Sequence, residues 1–465
     1  MLLADKLATL NSITKLGLSL VVGSSLTFTV WGDLATETHQ RALSKKDQGD
    51  LNGAIADENR VLELQPGFTE AYFTRGLLLQ MLGHSAEAIE NFNQAVRLKP
   101  DYAAAYYFRG NSRHAEGDLL GALMDYNLAI LNQPDYADAY AARAQTKRQR
   151  GDLDGSIADD AKVLQYQPKD AGAYANRAVA RLSRGDAAGA LEDDTQSLIL
   201  KPEQAAVYAH RALARKAKGD LAGAIIDFNQ ALELQLDYVP AFTGRAVVKS
   251  LQGDLAGALA DDTKAISFQP DNANACYHRG ATRQLLGDRQ GAIEDFNRVV
   301  ELNPDFAYAY RNRGVLRYDA HEYVGAAQDF RKALALDDSL VYLRFRIWMV
   351  RSHLGQPDQA TTELSTWLAT RPHTSAPDWT DLVAGFLTGQ IPESDFLVAA
   401  QRTPSAPSSG RWCEACYYAG SRHLVAGDTA AAADFFQKAL ATGKKEYQEY
   451  NSAAAELTFL PAARH

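Results

Sequence analysis

Between residues 103 and 136 the apolar positions fall into two helical runs with a break between them. Tyr106, Gly110 and Arg113 keep helical spacing, and after the break Leu119, Ala122, Leu123, Tyr126, Ala129 and Ile130 keep it again. The break is Gly117-Asp118. Glycine reaches the left-handed conformation that ends a first helix. A carboxylate beside it can accept from an unpaired N–H at the start of a second. Pro134 then forbids continuation. The stretch predicts a helical hairpin, its arms drawn close by the small residues Gly110 and Ala122.

The same pattern returns every 34 residues, with the turn glycine at Gly49, Gly83, Gly117, Gly151, Gly185, Gly219, Gly253 and Gly287. All but Gly83 are followed by Asp. One hairpin cannot bury its apolar face alone, so the copies must stack. Numbered from Ala35 as position 1, the recurring pattern is an aromatic at 4, Gly or Ala at 8, Gly at 15, Ala at 20, an aromatic at 24, Ala at 27 and Pro at 32, the proline giving way to Leu236 in the sixth copy and Asp338 in the ninth. This resembles the tetratricopeptide repeat. The resemblance implies an all-α fold, a right-handed superhelix (α-solenoid) of helical hairpins with an irregular helical C-terminal cap.

Nine repeats span residues 35–340. The first has Thr38 in place of the aromatic, and the ninth replaces Gly-Asp with His321-Glu322. A degenerate tenth, 341–374, keeps Gly355, Ala360 and Pro372 but puts Trp348 at the small position 8, which predicts helices pushed apart and a change of pitch. A helical linker (375–412) follows, with a polar loop at 403–410, then a final hairpin (413–446) and a capping helix and tail (447–465). The C-terminal third resembles NlpI-type bacterial lipoproteins. The matching features are Trp379, Phe386-Leu-Thr-Gly389, Tyr417-Tyr-Ala-Gly420, Gly427-Asp428, and Tyr447-Gln-Glu-Tyr450 ahead of Ala453 to Leu457. That likeness implies an adaptor in a bacterial envelope that docks proteases or cell-wall hydrolases.

Residues 1–34 stand apart. Lys6 and Lys15 precede an uncharged run of 15 residues, 16–30. That is the length of a signal-peptide core and short of the ~20 residues a membrane-spanning helix needs. The segment predicts a cleaved export signal and a home in the periplasm or cell envelope. The alternatives are an uncleaved anchor, the one route to membrane contact, and an N-terminal helix on a cytosolic assembly factor or co-chaperone-like scaffold.

A net charge of −9 without a Lys/Arg run excludes a nucleic-acid surface. Three cysteines are too few for a disulfide scaffold. Cys413 and Cys416 form a Cys-x-x-Cys, but Cys416 takes the position-4 core slot and no second pair completes a zinc site. No phosphate loop, nucleophile elbow or paired catalytic carboxylate stands outside the repeat pattern, so the chain reads as a non-enzyme without cofactor or metal. A catalytic C-terminal module is the contrary reading.

Two sets of residues carry candidate interactions. Position 7 is Arg in all nine repeats (Arg41 to Arg313), position 11 is basic in eight, and position 23 is Asp in eight, with Asn91 in the second. Repeats one, four, five and seven add Glu58, Asp160, Asp194 and Asp262 at position 24. These charges fit either a basic stripe for an acidic ligand or an Arg–Asp ladder. Positions 4, 8 and 11 share the face packed on the second helix, where charges need partners, which favours the ladder. Ligand contact is expected on the first-helix face at positions 2, 5, 6, 9 and 12. It carries Phe73, Tyr107, Phe108, Asn111, His114, Asn176, His210 and Lys216, then Tyr277, His278, Tyr308, Arg311, Asn312 and Tyr318. Aromatics with Asn and Arg suit an extended peptide, which offers backbone hydrogen bonds and flat apolar side chains. A protein or peptide partner is therefore expected, with the oligomeric state left open.

Overall fold

The computed structural model describes residues 32–371, 378–401, 409–445 and 447–460. The run at 16–30 expected to act as an export signal, Pro372, most of the polar loop expected at 403–410 and the last five residues lie outside them. All regular structure among the described residues is helical, and none of these helices is long and apolar enough to cross a membrane.

The chain folds as two compact units, divided between Leu234 and Gln235. The first contains six hairpins: α1 (residues 32–47) with α2 (Leu51–Leu64), α3 (Thr69–Met81) with α4 (Ser85–Leu98), α5 (Ala103–Ala115) with α6 (Leu119–Asn132), α7 (Ala137–Gln149) with α8 (Leu153–Tyr166), α9 (Ala171–Ser183) with α10 (Ala187–Leu200), and α11 (Ala205–Ala217) with α12 (Leu221–Leu234). The second has four more: α13 (Val239–Leu251) with α14 (Leu255–Phe268), α15 (Ala273–Leu285) with α16 (Arg289–Leu302), α17 (Ala307–Asp319) with α18 (Tyr323–Leu336), and α19 (Tyr342–His353) with α20 (Pro357–Ala369). Then come α21 (Trp379–Leu387), α22 (Glu393–Gln401), α23 (Ser409–Val425), α24 (Thr429–Ala441) and α25 (Gln448–Phe459). Within each unit a second helix packs on the first helix of the next hairpin.

The hairpin turn forms as its chemistry requires. Gly117 has φ 81°, and the Asp118 carboxylate accepts from the Gly121 N–H at 2.9 Å. Asp50, Asp152, Asp186, Asp220, Asp254, Asp288 and Asp428 make the same cap at 2.9–3.0 Å. In the ninth repeat His321 takes the glycine's place at φ 59°, the one left-handed residue other than glycine among those described. Its ring lies 5.2 Å from Tyr323 and 3.8 Å from Phe459 of α25, contacts that offset the strain of that conformation.

Closeness of the two arms is set by a trade of volume between positions 8 and 24. Gly76, Gly110, Gly280, Gly314 and Gly420 face Phe92, Tyr126, Phe296, Phe330 and Phe436, and a Cβ on any of them would meet the ring at 2.7–2.9 Å. Where position 24 is a carboxylate, position 8 is alanine instead: Ala42, Ala144, Ala178 and Ala246. Ala212, opposite Phe228, departs from this pairing. In the tenth hairpin the trade runs the other way. Trp348 is buried on α19 opposite the smaller Leu364, and its indole N–H reaches Thr361 Oγ1 at 3.2 Å. As a bulky residue at position 8 predicts, α19 and α20 pack less closely than the arms of the second to ninth hairpins.

The last hairpin also starts earlier than the pattern placed it, since α23 begins at Ser409. Trp379 of α21 donates to Glu414 of α23 at 2.7 Å, and Phe386 stacks on Phe396 of α22 at 4.4 Å. Helix α25 folds back on the end of the second unit. There Tyr318 donates to Glu456 at 2.9 Å, Ser452 to Asp319 at 2.7 Å, and the buried Arg346 to Ser452 at 2.9 Å and to Tyr417 at 2.8 Å.

The volume trade gives a direct expectation. Gly110→Ala drives a methyl into the Tyr126 ring and costs about 1–3 kcal/mol, read as lost hydrogen-exchange protection in α5 and α6. Adding Tyr126→Leu removes the ring, so the double variant is more stable than the sum of the two single losses. Additive losses would show that the pair is not coupled.

Candidate functional site

The most regular side-chain array is built from positions 7, 11 and 23. In the fourth repeat Arg143 of α7 lays a two-pronged fork on Asp159 of α8, at 2.8 and 2.7 Å. Its remaining terminal nitrogen donates to Asn127 of the preceding hairpin at 2.6 Å, and its guanidinium lies 5.3 Å from the Tyr140 ring. Lys147 adds a second cation to Asp159 at 2.8 Å. The fork and the second cation recur at Asp125, Asp193, Asp227, Asp261, Asp295 and Asp329. The bond to the preceding hairpin recurs from Arg75 to Asn59, Arg109 to Asn93 and Arg313 to Asn297. In the second repeat Asn91 receives Arg75 at 2.7 Å in the carboxylate's place. In the first repeat Arg41, backed by Lys45, holds the Asp57 carboxyl down to about 2. The arginines are thus occupied inside each hairpin and, in these repeats, by its neighbour. The ladder is what the structure contains, and among the described residues these arginines form ion pairs or hydrogen bonds within the array, not a free basic stripe.

The extra carboxylates at position 24 are different. Asp160 and Asp262 are buried in the slot that aromatics fill elsewhere; one oxygen of Asp160 and both oxygens of Asp262 have no hydrogen-bond partner. Burial pushes the Asp160 carboxyl up to about 7, with Arg148 and Arg177 opposing and Asp159 and Asp193 assisting. Burial pushes Asp262 up to about 8, assisted by Asp261 and Asp295 and opposed by Arg279. Glu58 and Asp194 are raised by burial too, but each holds a histidine, His39 at 2.8 Å and His210 at 2.7 Å.

The expected contact residues separate into two clusters, one in each unit. In the first, Phe73, Tyr107 and Phe108 join Phe92, Tyr102, Tyr126 and Tyr136 in a run of rings whose neighbouring centroids are 4.8–6.4 Å apart. Asn111 accepts from the Tyr126 hydroxyl at 2.8 Å. Asn176 is exposed on α9 and Lys216 half-buried on α11, apart from these rings, while His210 is held by Asp194. In the second unit Tyr277 packs on His278, Phe296 and Phe306 at 4.9–5.8 Å. Arg311 lies over the exposed Tyr308 ring at 4.9 Å. Asn312 is buried and donates to the Tyr277 hydroxyl at 3.2 Å, so it positions that tyrosine instead of facing outward.

Tyr102, Tyr136 and Phe306 were not among the expected contacts. Their signal was present as an aromatic recurring at the last position of the repeat, after Asp101, Asp135 and Asp305.

Among the described residues no three potential ligands converge as a metal site. Cys413 and Cys416 are fully buried, and burial pushes the Cys416 thiol up to about 12, as packing residues require. The C-terminal module does hold a histidine between carboxylates, which the sequence did not suggest. His423 lies 2.9 Å from Glu393 and 3.4 Å from Asp428. His423 occupies the repeat's basic position 11, and Asp428 is the cap of α24.

Family models of the tetratricopeptide repeat match residues 69–102, 205–238 and 286–340. No curated protein matches the chain. Among solved structures, a tetratricopeptide repeat protein from Parabacteroides merdae ATCC 43184 is 20% identical, over 50% of this chain and 93% of that one, with a TM-score of 0.45. The C-terminal part of a TPR repeat-containing protein from Cytophaga hutchinsonii is 16% identical over 52% and 98%, with a TM-score of 0.44. YrrB, described as a TPR protein with an unusual peptide-binding site, is 19% identical over 40% and 96%, with a TM-score of 0.36. The likeness of the C-terminal third to NlpI-type lipoproteins is not confirmed by these comparisons.

Two outcomes follow from the charges. Asp159→Ala strands Arg143 and Lys147 between helices and destabilises the fourth hairpin by about 2–4 kcal/mol, measured by hydrogen exchange in α7 and α8. A carboxyl raised on folding stabilises fully below its unfolded value and loses that contribution as pH climbs through its folded one. For Asp160 and Asp262 the loss runs from about pH 4 to about pH 7 and 8. Asp160→Asn with Asp262→Asn should therefore flatten the fall in urea midpoint over that window and raise stability at pH 8 by on the order of a few kcal/mol. An unchanged pH profile would refute the assignment.

Proposed function

Since the chain is a tetratricopeptide repeat protein, we propose that it is a non-catalytic scaffold whose first-helix faces hold an extended segment of a protein partner. The observation that carries this reading is the run of rings around Tyr107 in the first unit. Phe73, Tyr107 and Phe108 are each only partly buried although they pack on one another, so they present flat apolar surface on a rigid backing. Asn111 beside them supplies a polar group that a peptide backbone can use. In the second unit Tyr277, His278, Tyr308 and Arg311 offer a smaller platform of the same character, with Asn312 behind it. Asn176, His210 and Lys216 extend the first unit's face with polar contacts.

The proposed setting is a bacterial envelope. Lys6 and Lys15 ahead of the uncharged run at 16–30 support export. The likeness of the C-terminal third to NlpI-type lipoproteins supports a role in docking proteases or cell-wall hydrolases.

A tagged full-length chain, captured from separated envelope and soluble fractions, tests both parts. Mass spectrometry of its N-terminus and of its partners should find a chain beginning near residue 33 in the envelope fraction, with a protease or hydrolase bound. Phe73→Ala with Tyr107→Ala should weaken partner binding by roughly 30-fold or more, the effect of losing a central aromatic anchor, while circular dichroism stays unchanged. A partner that binds both chains equally places the contact elsewhere. An intact N-terminus with cytosolic partners removes the envelope and leaves the scaffold.

A further inference from the structure

The outward face of α6 is unlike that of its neighbours. Leu120, Met124, Leu128 and Leu131 are 61%, 65%, 36% and 74% exposed. Steps of four, four and three residues put them on one stripe of the helix. The equivalent residues are Ala86, Glu90, Gln94 and Arg97 on α4, and Asp154, Ala158, Lys162 and Gln165 on α8. Each neighbour thus carries charge and an amide where α6 carries four large apolar side chains. The one charged residue of α6, Asp125, is buried in the ladder. A contiguous stripe of this kind marks a contact surface, where scattered single apolar residues would not.

We propose that this face is where a second copy of the chain docks, with the two α6 helices antiparallel across a two-fold axis. Charge complementarity decides the occupant and the direction. Consider an antiparallel pair centred on Tyr126. Met124 then opposes Leu128 of the second copy, and by symmetry Leu128 opposes the second copy's Met124. The same operation sets each α4 against the other α4. Glu87 of one copy then faces Arg97 of the other, an ion pair made twice, and Glu90 faces Gln94. On the far side each α8 meets the other α8, and Lys162 faces the small, uncharged Ala158. Glu87, Glu90, Arg97 and Lys162 are all exposed. A parallel pairing would instead bring α4 against α8. Glu87 would then face Gly155, Glu90 would face Ala158, and Arg97 would face Gln165, so no ion pair would form. The face is therefore complementary to itself in charge in the antiparallel direction alone.

Sedimentation velocity on the full chain, at concentrations up to roughly 100 µM, tests the proposal. The unaltered chain should sediment as a dimer. Met124→Glu, an exposed change that leaves circular dichroism unaltered, should raise the dissociation constant about 100-fold, since symmetry applies a tenfold loss twice. Arg97→Glu should weaken the dimer by facing Glu with Glu, and Arg97→Glu with Glu87→Arg should restore it. A chain that is monomeric throughout overturns the proposal, as does a dimer indifferent to Met124→Glu. Failure of the charge swap to restore association overturns the antiparallel register. A monomer that uses the stripe to hold a different protein assigns the face to that partner and overturns the second copy.

Discussion

A carboxylate buried between two helices is tolerable only when cations reach it, and the described array is built around that requirement. Asp159 shows the full solution: a two-pronged arginine and a lysine from one helix converge on a single carboxylate of the next. The arginine's third nitrogen is left to grip the hairpin before it. In the repeats of Arg75, Arg109, Arg143 and Arg313 the contact that closes the hairpin therefore also ties it to its neighbour. Removing a buried ion pair in favour of apolar packing can be neutral for stability. What the pair adds here is register, because a guanidinium with three directed donors fits one relative placement of the helices.

The second constraint is volume. Glycine against an aromatic, alanine against a carboxylate, and tryptophan against leucine are three fillings of one gap between arms. The carboxylate filling is the one that burial penalises, which is why Asp160 and Asp262 hold their protons to about 7 and 8. The fourth, fifth and seventh repeats, which carry it, also have small residues at position 5, Ala141, Ala175 and Thr243, where the second, third and eighth have Phe73, Tyr107 and Tyr277. In those three repeats, losing the inner aromatic accompanies losing the outer one. The expected ring clusters gather for that reason around the second and third hairpins of the first unit and the eighth repeat in the second.

What recurs was legible in the sequence, and what occurs once was not. The turn of Gly117 and Asp118, and the ladder from Arg143 to Asp159, could be read because local spacing fixes both partners and the pattern repeats. The aromatics at Tyr102, Tyr136 and Phe306 repeat as well, but they sit at helix entrances, where periodicity gives no direction to a side chain. Trp348 was legible too, since a large residue at the small position 8 spreads the arms of its own hairpin. The bonds from α25 to Tyr318, Asp319 and Arg346 span 106–138 residues and obey no period. Of the expected contact residues, Asn312 and Tyr318 proved buried, the first held by Tyr277 in the preceding repeat and the second by Glu456 of α25.

Helix α25 gives the end of the second unit a chemistry of its own. Tyr318, Asp319 and Arg346 are each answered by one residue of that helix or its neighbours, and His321 by Phe459. The hairpins bearing these residues cannot be exchanged for others, whereas one built only from the ladder and the Gly-Asp turn matches the next in every contact it makes. In evolution such a chain can lengthen or shorten by unequal recombination among its interchangeable hairpins, while its last hairpins stay in place as a fixed terminus.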